Sequence, residues 1–82
     1  MKRIVCAVYD DVTELFGPPV LFVNAGHAFR GFVDMVNSGS DEMLKRNPDD
    51  FSFYKLGLYD DTTGVFENQN ERLARAQDVK EN

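Results

Sequence analysis

The stretch NPDDFSFYKLGLYDDTTG, residues 47–64, decides the fold of this 82-residue chain. Its middle, residues 51–59, alternates between two sets of side chains, which is typical of a β-strand with two different faces. Asp-Asp-Thr-Thr-Gly then predicts a turn in which Gly64 takes a positive φ. The apolar residues that follow the turn predict a returning strand, so we expect a β-hairpin.

The alternation assigns the side chains of the first hairpin strand to two faces. Even-numbered side chains are expected to pack beneath a helix: Tyr54, Leu56 and Leu58. Odd-numbered side chains are expected to project from the other face: Phe51, Phe53, Lys55 and Tyr59. The identity of the exposed face therefore depends on unbroken alternation along this strand.

Two further strands are predicted upstream of the hairpin. RIVCAVYD, residues 3–10, is a nearly continuous apolar run rich in β-formers, which indicates a strand covered on both faces. VLFV, residues 20–23, is a second, short strand. The segment between them is expected to be a loop without regular ladder pairing, because Gly17 and two prolines close it.

The segment NAGHAFRGFVDMVNSG, residues 24–39, predicts an amphipathic helix. Asn24 is expected to be its N-cap, and Gly39 is expected to end it in the left-handed conformation. Apolar residues recur along one stripe with helical spacing: Ala25, Ala28, Phe29, Phe32, Val33 and Val36. A short helical turn capped by Ser40 or Asp41 follows, and Pro48 stops it.

Together these elements predict an α+β fold, with a small, mainly antiparallel sheet and one amphipathic helix on one face. A single domain is expected over residues 1–67. The remaining residues, 68–82, form a polar C-terminal tail that is either a marginal helix or disordered. Such a short chain buries a limited core, so homodimerisation or a higher oligomer is expected.

The composition disfavours several classes of function. The net charge is -5, which argues against binding duplex DNA by bulk attraction. With one cysteine and one histidine, the chain cannot assemble a Cys/His zinc site by itself, and DDTTG lacks the spacing of a calcium loop. We therefore expect no metal, no cofactor and no enzymatic activity. No apolar run reaches the length of a signal peptide or membrane span, so no membrane association is expected.

The open sheet face leaves two interpretations. Aromatic side chains interleaved with basic groups are typical of surfaces on which single-stranded nucleic acid stacks its bases. The same aromatics could instead form a dimer interface or a second core layer beneath a loop, since an exposed apolar patch is normally covered. Residue pattern alone leaves both interpretations open.

Three stretches of the chain resemble the small nonstructural protein of microviruses, in the gokushovirus branch of single-stranded DNA bacteriophages. The first is AVYD, residues 7–10, and the second is AFRGFVDMVN on the predicted helix. The third and strongest is residues 47–64, which fits Pro-x-Asp-Phe, then Tyr-x-Leu-Gly, then Asp-Asp-x-Thr-Gly. The resemblance runs from about residue 1 to residue 67; it departs at Asn47 and at GPPVLF.

The resemblance implies a DNA-binding phage protein that acts when replication switches from duplex to single-strand genome synthesis. It also implies a protein made in the host bacterial cytoplasm and absent from the virion. Single-stranded DNA and a second copy of the chain are thus the expected partners. An oligomer would reconcile DNA binding with the acidic charge by lining the basic groups of several subunits along one groove.

Candidate DNA-binding residues follow from strand parity and charge rather than from the resemblance. They are Arg3, Tyr9, Arg30, Phe53, Lys55 and Tyr59. The alternative is a homo-oligomeric protein–protein interaction module whose aromatic face is consumed by its own interface. A weaker alternative is a DNA mimic that uses the acidic turns of residues 41–67, although their scatter over several turns argues against a regular row of carboxylates.

Overall fold

The computed structural model describes residues 1–81, which form an antiparallel sheet with helices on one face. The five strands are β1 Lys2–Asp10, β2 Leu15–Phe16, β3 Val20–Phe22, β4 Phe51–Asp60 and β5 Phe66–Arg75. The helices are α1 Ala25–Ser38, α2 Glu42–Arg46 and α3 Ala76–Val79, with a 3-10 turn at Pro48–Asp50 before β4. The α+β fold predicted from the sequence is confirmed.

The strand order is β2-β1-β4-β5, with β3 also paired to β1 on the side that β2 occupies. β2 lies opposite the end of β1 and β3 lies opposite its middle, so the two form one edge strand interrupted by Gly17 and two prolines. The Gly17 amide still donates to the Val8 carbonyl at 2.7 Å. The expected unpaired loop is thus wrong for Leu15 and Phe16, because the prolines break the ladder only between them and β3.

The helix α1 begins where the sequence predicts. The Asn24 side chain caps it by accepting from the His27 amide at 2.8 Å. Gly39 follows the helix in an extended conformation, with φ −72° and ψ 174°, so the predicted left-handed ending is wrong. A Cβ at this position would lie 2.7 Å from the Met35 carbonyl oxygen, and close packing is therefore what requires glycine there.

The core lies between α1 and one face of the sheet. The rings of Phe32 and Phe53 stack with their centroids 4.5 Å apart and their planes 9° apart. Each of these side chains is at most 1% exposed. The rest of the buried cluster comes from all parts of the chain: Cys6, Phe22, Ala28, Val36, Leu44, Phe51 and Ala76.

The residues after Glu67 belong to the folded unit. β5 pairs with β4 as far as Arg75, and Ala76 at the start of α3 is completely buried. The Asn37 side chain donates to the Val79 carbonyl at 3.0 Å and so ties α3 to α1. The expected polar tail, marginally helical or disordered, is therefore wrong over residues 68–75, which form a strand, and residues 76–79 form a short helix that closes the core. Asn82 lies outside the described residues.

A β-bulge at Leu56 exchanges the two faces of β4. Val5 pairs with Gly57 but Cys6 pairs with Lys55, so Leu56 is an extra residue with no partner on β1. Residues directly opposite in an antiparallel pair share a face, and one inserted residue reverses the alternation beyond it. Odd-numbered side chains consequently face the helix before the bulge and face away from it afterwards.

The prediction that Phe53 and Lys55 project from the open face is therefore wrong. Phe53 pairs with Val8 and stacks on Phe32 inside the core, and Lys55 lies on the same helix-side face opposite Cys6. Phe51 is also buried in the core. Tyr54, expected beneath the helix, lies on the other face.

Replacing Phe53 by alanine tests this assignment of faces. The change removes a fully buried ring stacked on Phe32, so we expect the free energy of unfolding to fall by about 3–5 kcal/mol. Tyr54→Ala, one residue away on the open face, should cost less than half as much. Urea denaturation followed by far-UV circular dichroism measures both values. Equal losses for the two variants would contradict the burial of Phe53.

Candidate functional site

The sheet face opposite α1 carries aromatic and arginine side chains; we call it the open face. Four rows of residues cross it, each row following the strand pairing. One row holds Phe16, Tyr9, Ser52 and Arg75, and the next holds Ala7, Tyr54 and Arg72. The third holds Leu21, Val5, Gly57 and Asn68, and the last holds Arg3, Tyr59 and Phe66.

Three rings form a cluster at one end of the open face. The centroids of Tyr9 and Phe16 are 4.7 Å apart, those of Phe16 and Tyr54 are 5.4 Å apart, and those of Tyr9 and Tyr54 are 5.7 Å apart. The latter two pairs meet edge to face, which is a favourable aromatic geometry. The Phe16 ring remains 42% exposed, so this cluster offers accessible aromatic surface to a ligand.

A second aromatic pair lies at the hairpin end of the same face. Tyr59 and Phe66 are direct partners across β4 and β5. The Phe66 ring lies over Gly57, where an added Cβ would come within 2.9 Å of it, so glycine makes room for the ring. Tyr54 and Tyr59 are separated along β4 by about 16 Å of extended strand. The open face therefore has two aromatic areas with a row of non-aromatic residues between them.

Positive charge on the open face is concentrated along β5. Arg72 is Tyr54's partner on β5 and is exposed, and Arg75 is Ser52's partner and is half-buried. Among residues 1–81, no carboxylate lies within 4.0 Å of either guanidinium group. An anion approaching the β5 side of the aromatic cluster would meet both groups.

Negative charge lies on the other side of the aromatic cluster. Burial raises the pKa of the Tyr9 hydroxyl, and the carboxylates of Glu14 and Asp11 raise it further. The Asp10 carboxylate, which contributes in the same direction, holds the turn after β1 by accepting from the Val12 amide at 2.9 Å. The electrostatic field across the cluster is thus polarised, with carboxylates beyond β1 and arginines on β5.

Arg3 is held at the hairpin end of the sheet. Its Nε donates to Asp61 Oδ2 at 2.9 Å, and the N-terminal ammonium donates to Asp61 Oδ1 at 2.9 Å. The hydrogen bond from the ammonium, followed by that from Arg3, lowers the pKa of the Asp61 carboxyl. Arg3 lies in the same row as Tyr59, so it borders the second aromatic area with its charge partly neutralised.

The structure places three of the six predicted site residues on the open face and the other three elsewhere. Tyr59 lies on the open face, as strand parity predicts, and the pairing of β1 with β4 brings Arg3 and Tyr9 to the same face. Phe53 and Lys55 lie on the helix side of the sheet, and Arg30 is exposed on α1 and cannot join the open face. Sequence reasoning missed five residues of the open face: Phe16, Tyr54, Phe66, Arg72 and Arg75.

One feature of the sequence could have located Tyr54. The first half of β4 offers two phenylalanines at odd positions and a tyrosine between them and the lysine. A tyrosine hydroxyl needs a partner or water, so the hydrocarbon rings are better placed in the core and Tyr54 at a surface. β5 gives no such indication, because its polar composition hides a strand that is ten residues long.

A cavity of about 570 Å³ opens on the helix side, between the β2–β3 edge and the C-terminal part of α1. Its lining is mainly apolar and includes Val8, Phe22, Met35 and Leu44. Cys6 also borders it and is completely buried. Burial raises the pKa of this thiol to about 11, which the nearby Lys55 ammonium only partly opposes. The thiol is therefore protonated at neutral pH, a state unsuited to nucleophilic attack.

The Cys6 thiol makes stability depend on pH in the alkaline range. Its pKa is higher in the folded chain than in the unfolded chain, so its contribution is fully present below about pH 9 and is lost as the pH rises towards 11. We expect a loss of about 2 kcal/mol across this window. Chemical denaturation at several pH values measures it, and in Cys6→Ala this part of the pH dependence should be absent. An unchanged slope in the variant would assign the effect to other groups.

Two classes of site are not found among the described residues. Residues 1–81 contain no cluster of three or more histidine, cysteine or carboxylate side chains that could hold a metal ion. No helix in this range has both the length and the apolar character needed to cross a bilayer.

The fold and the open face define a small α+β protein in which helices cover one side of an antiparallel sheet and aromatics and arginines occupy the other. The chain belongs to the phage ORF5 protein family, whose family model matches residues 3–79. This finding confirms the expected phage protein at the level of the family. The match also covers α3 and the part of β5 after residue 67, which lie outside the domain predicted from the sequence. No curated protein and no solved structure matches the chain.

Proposed function

We propose that this phage protein is non-enzymatic and binds single-stranded DNA on its open face during genome replication. The observation that carries the proposal is the cluster of Tyr9, Phe16 and Tyr54 flanked by Arg72 and Arg75. Bases stack on accessible aromatic rings, and guanidinium groups bind phosphate. The resemblance to microvirus nonstructural proteins supports the same function, and with it a place of action in the host bacterial cytoplasm.

A single strand suits this surface better than a duplex does. Bases are accessible for stacking only when they are unpaired, and a flat sheet with exposed rings can accept two or three of them, as four-stranded RNA-binding sheets do. A duplex presents mainly phosphates, and the chain's net charge of -5 opposes that contact. Stacking thus supplies the affinity that the modest positive charge does not.

The charge distribution defines a path for the strand. Phosphates would follow β5, where Arg72 and Arg75 lie, and bases would point towards β4 and β1, where the tyrosines lie. The opposite arrangement would place phosphates near Asp10, Asp11 and Glu14, whose charges already act on Tyr9. Like charges at that distance are repulsive, so only the first arrangement is favourable.

Tyr54→Ala tests whether the open face binds bases. Removing one stacking ring should weaken binding of a fluorescent oligothymidylate by about 1–3 kcal/mol, or roughly 5- to 150-fold in Kd. Phe29→Ala is the matched control, because that ring is 46% exposed but lies on α1, away from the open face. Its affinity should be unchanged. Absence of binding by the unaltered chain at low salt, or equal effects of the two variants, would refute the proposed site.

A pair of charge reversals tests the role of β5. Arg72→Glu and Lys55→Glu change the net charge equally but lie on opposite faces of the sheet. We expect Arg72→Glu to weaken oligonucleotide binding at least about tenfold, while Lys55→Glu has little effect. Arg72→Glu should also reduce the slope of log Kd against log salt concentration by about one, the value expected for one lost phosphate contact. Titrations at two or more salt concentrations give both quantities. Equal losses would indicate a response to net charge alone.

The second candidate function is a protein–protein interaction module. Phe16 and Phe66 on the open face are 42% and 46% exposed, and such apolar area is often covered by a partner. In that case Tyr54→Ala would abolish self-association, and neither the unaltered chain nor the variant would bind the oligonucleotide. Measuring assembly and binding on the same variant separates the two functions.

A further inference from the structure

The β2–β3 edge of the sheet combines exposed apolar side chains with an absence of charge. Residues 15–29 contain no lysine, arginine, aspartate or glutamate, in a chain where 28% of residues are charged. Four apolar side chains along the edge are between 43% and 66% exposed: Leu15, Val20, Leu21 and Val23. Within residues 1–81, β3 pairs with β1 on one side only, so the backbone on its other side forms a free sheet edge.

The opposite edge of the sheet has a different character. β5 carries Glu67, Glu71, Arg72 and Arg75, and charged side chains on an edge strand prevent other strands from pairing with it. β3 has no such protection except for Pro18 and Pro19, which limit the length of edge available before Val20. The two edges therefore differ in their capacity to accept another strand.

We propose that β3 is a self-association edge, at which it pairs antiparallel with β3 of a second copy of the chain. The absence of charged side chains at this edge is the reason for choosing a second copy of the chain as its partner. Two copies with a net charge of -5 repel each other over most of their surface, and contact through β3, Val20–Phe22, brings no carboxylates together. Apolar, charge-depleted surface is also what distinguishes the centre of an interface from its surroundings.

This pairing uses Leu21 of each open face and leaves the aromatic cluster and β5 outside the contact. Antiparallel pairing of two identical edge strands has its two-fold axis perpendicular to the sheet, so the open faces of both copies lie on the same side of one continuous sheet. Leu21, at the centre of β3, lies next to the axis and faces its counterpart. The edge is short and the apolar residues are few, so the dimer belongs to the small, transient class, with a micromolar Kd.

Sedimentation velocity of the full chain without DNA, over a series of concentrations, tests the proposal. We expect a monomer–dimer equilibrium that Leu21→Glu weakens at least about tenfold in Kd, since it places two like charges together. Val65→Glu is the matched control, because Val65 is 56% exposed at the far end of the hairpin, and it should not change the Kd. Mixing Leu21→Glu with Leu21→Lys should restore dimers.

Three results would overturn the proposal: a monomer at every concentration, equal effects of Leu21→Glu and Val65→Glu, or no dimer on mixing the two Leu21 variants. Circular dichroism checks that each variant is folded, and Val20→Lys replaces Leu21→Glu if the latter unfolds. Self-association measured without DNA does not rest on the proposed function, so failure of one proposal leaves the other unaffected.

Discussion

The bulge at Leu56 is the constraint on which the rest of the structure depends. β4 is the central strand, paired with β1 on one side and β5 on the other, and one unpaired residue reverses its faces halfway along. Before the bulge, Phe53 points into the core and stacks on Phe32. After it, Leu58 faces the helix side opposite Ile4, and Tyr59 lies on the open face. In a strand without the bulge, Phe53 and Tyr59 would lie on the same face. Either Tyr59 would then be buried beneath the helix or Phe53 would be exposed.

A single helical layer explains why the open face exists. The chain has enough apolar residues to cover one face of the sheet with α1, supported by α2 and by α3 at the C-terminal end. No helix of the described residues covers the second face, and its rows of tyrosine, phenylalanine and arginine face solvent. Tyrosine and arginine combine apolar surface with a polar end, so they occupy such a partly solvent-exposed surface with little loss of hydration free energy. The same property suits them to stacking on bases and binding phosphate.

Several carboxylates of the chain are engaged at positions away from the arginines of β5. Asp60 and Asp61 are used at the hairpin end, where they bind the N-terminal ammonium and Arg3, and Asp41 caps α2. Asp10 holds its own turn. Carboxylates in these positions satisfy backbone and ammonium donors, while Arg72 and Arg75 remain beside the aromatic cluster. The net charge therefore does not show where the charges lie: these carboxylates are at the hairpin end, at the start of α2 and in the turn after β1, and the arginines are on β5.

Local sequence patterns were sufficient to predict the elements whose causes lie in neighbouring residues. Asn24 as the cap of α1, the turn with Gly64 at φ +76°, the strand at residues 3–10 and the hairpin all depend on neighbouring residues, and all are present as predicted. The family match is consistent with the phage resemblance found in the same motifs. Tyr59 lies on the open face, as parity predicts, because it is beyond the bulge, and pairing with β4 brings Arg3 and Tyr9 of β1 to the same face.

Long-range pairing and packing set which face of β4 is open, how far the domain extends and where the arginines lie. The bulge is fixed by pairing with β1 and β5, which are distant in sequence, so no local pattern in β4 reports it. β5 is held largely by backbone hydrogen bonds to β4, which polar side chains do not reveal, and α3 is held by contacts with α1. Strand parity is a local property, but the face it selects is set by the partners of the strand.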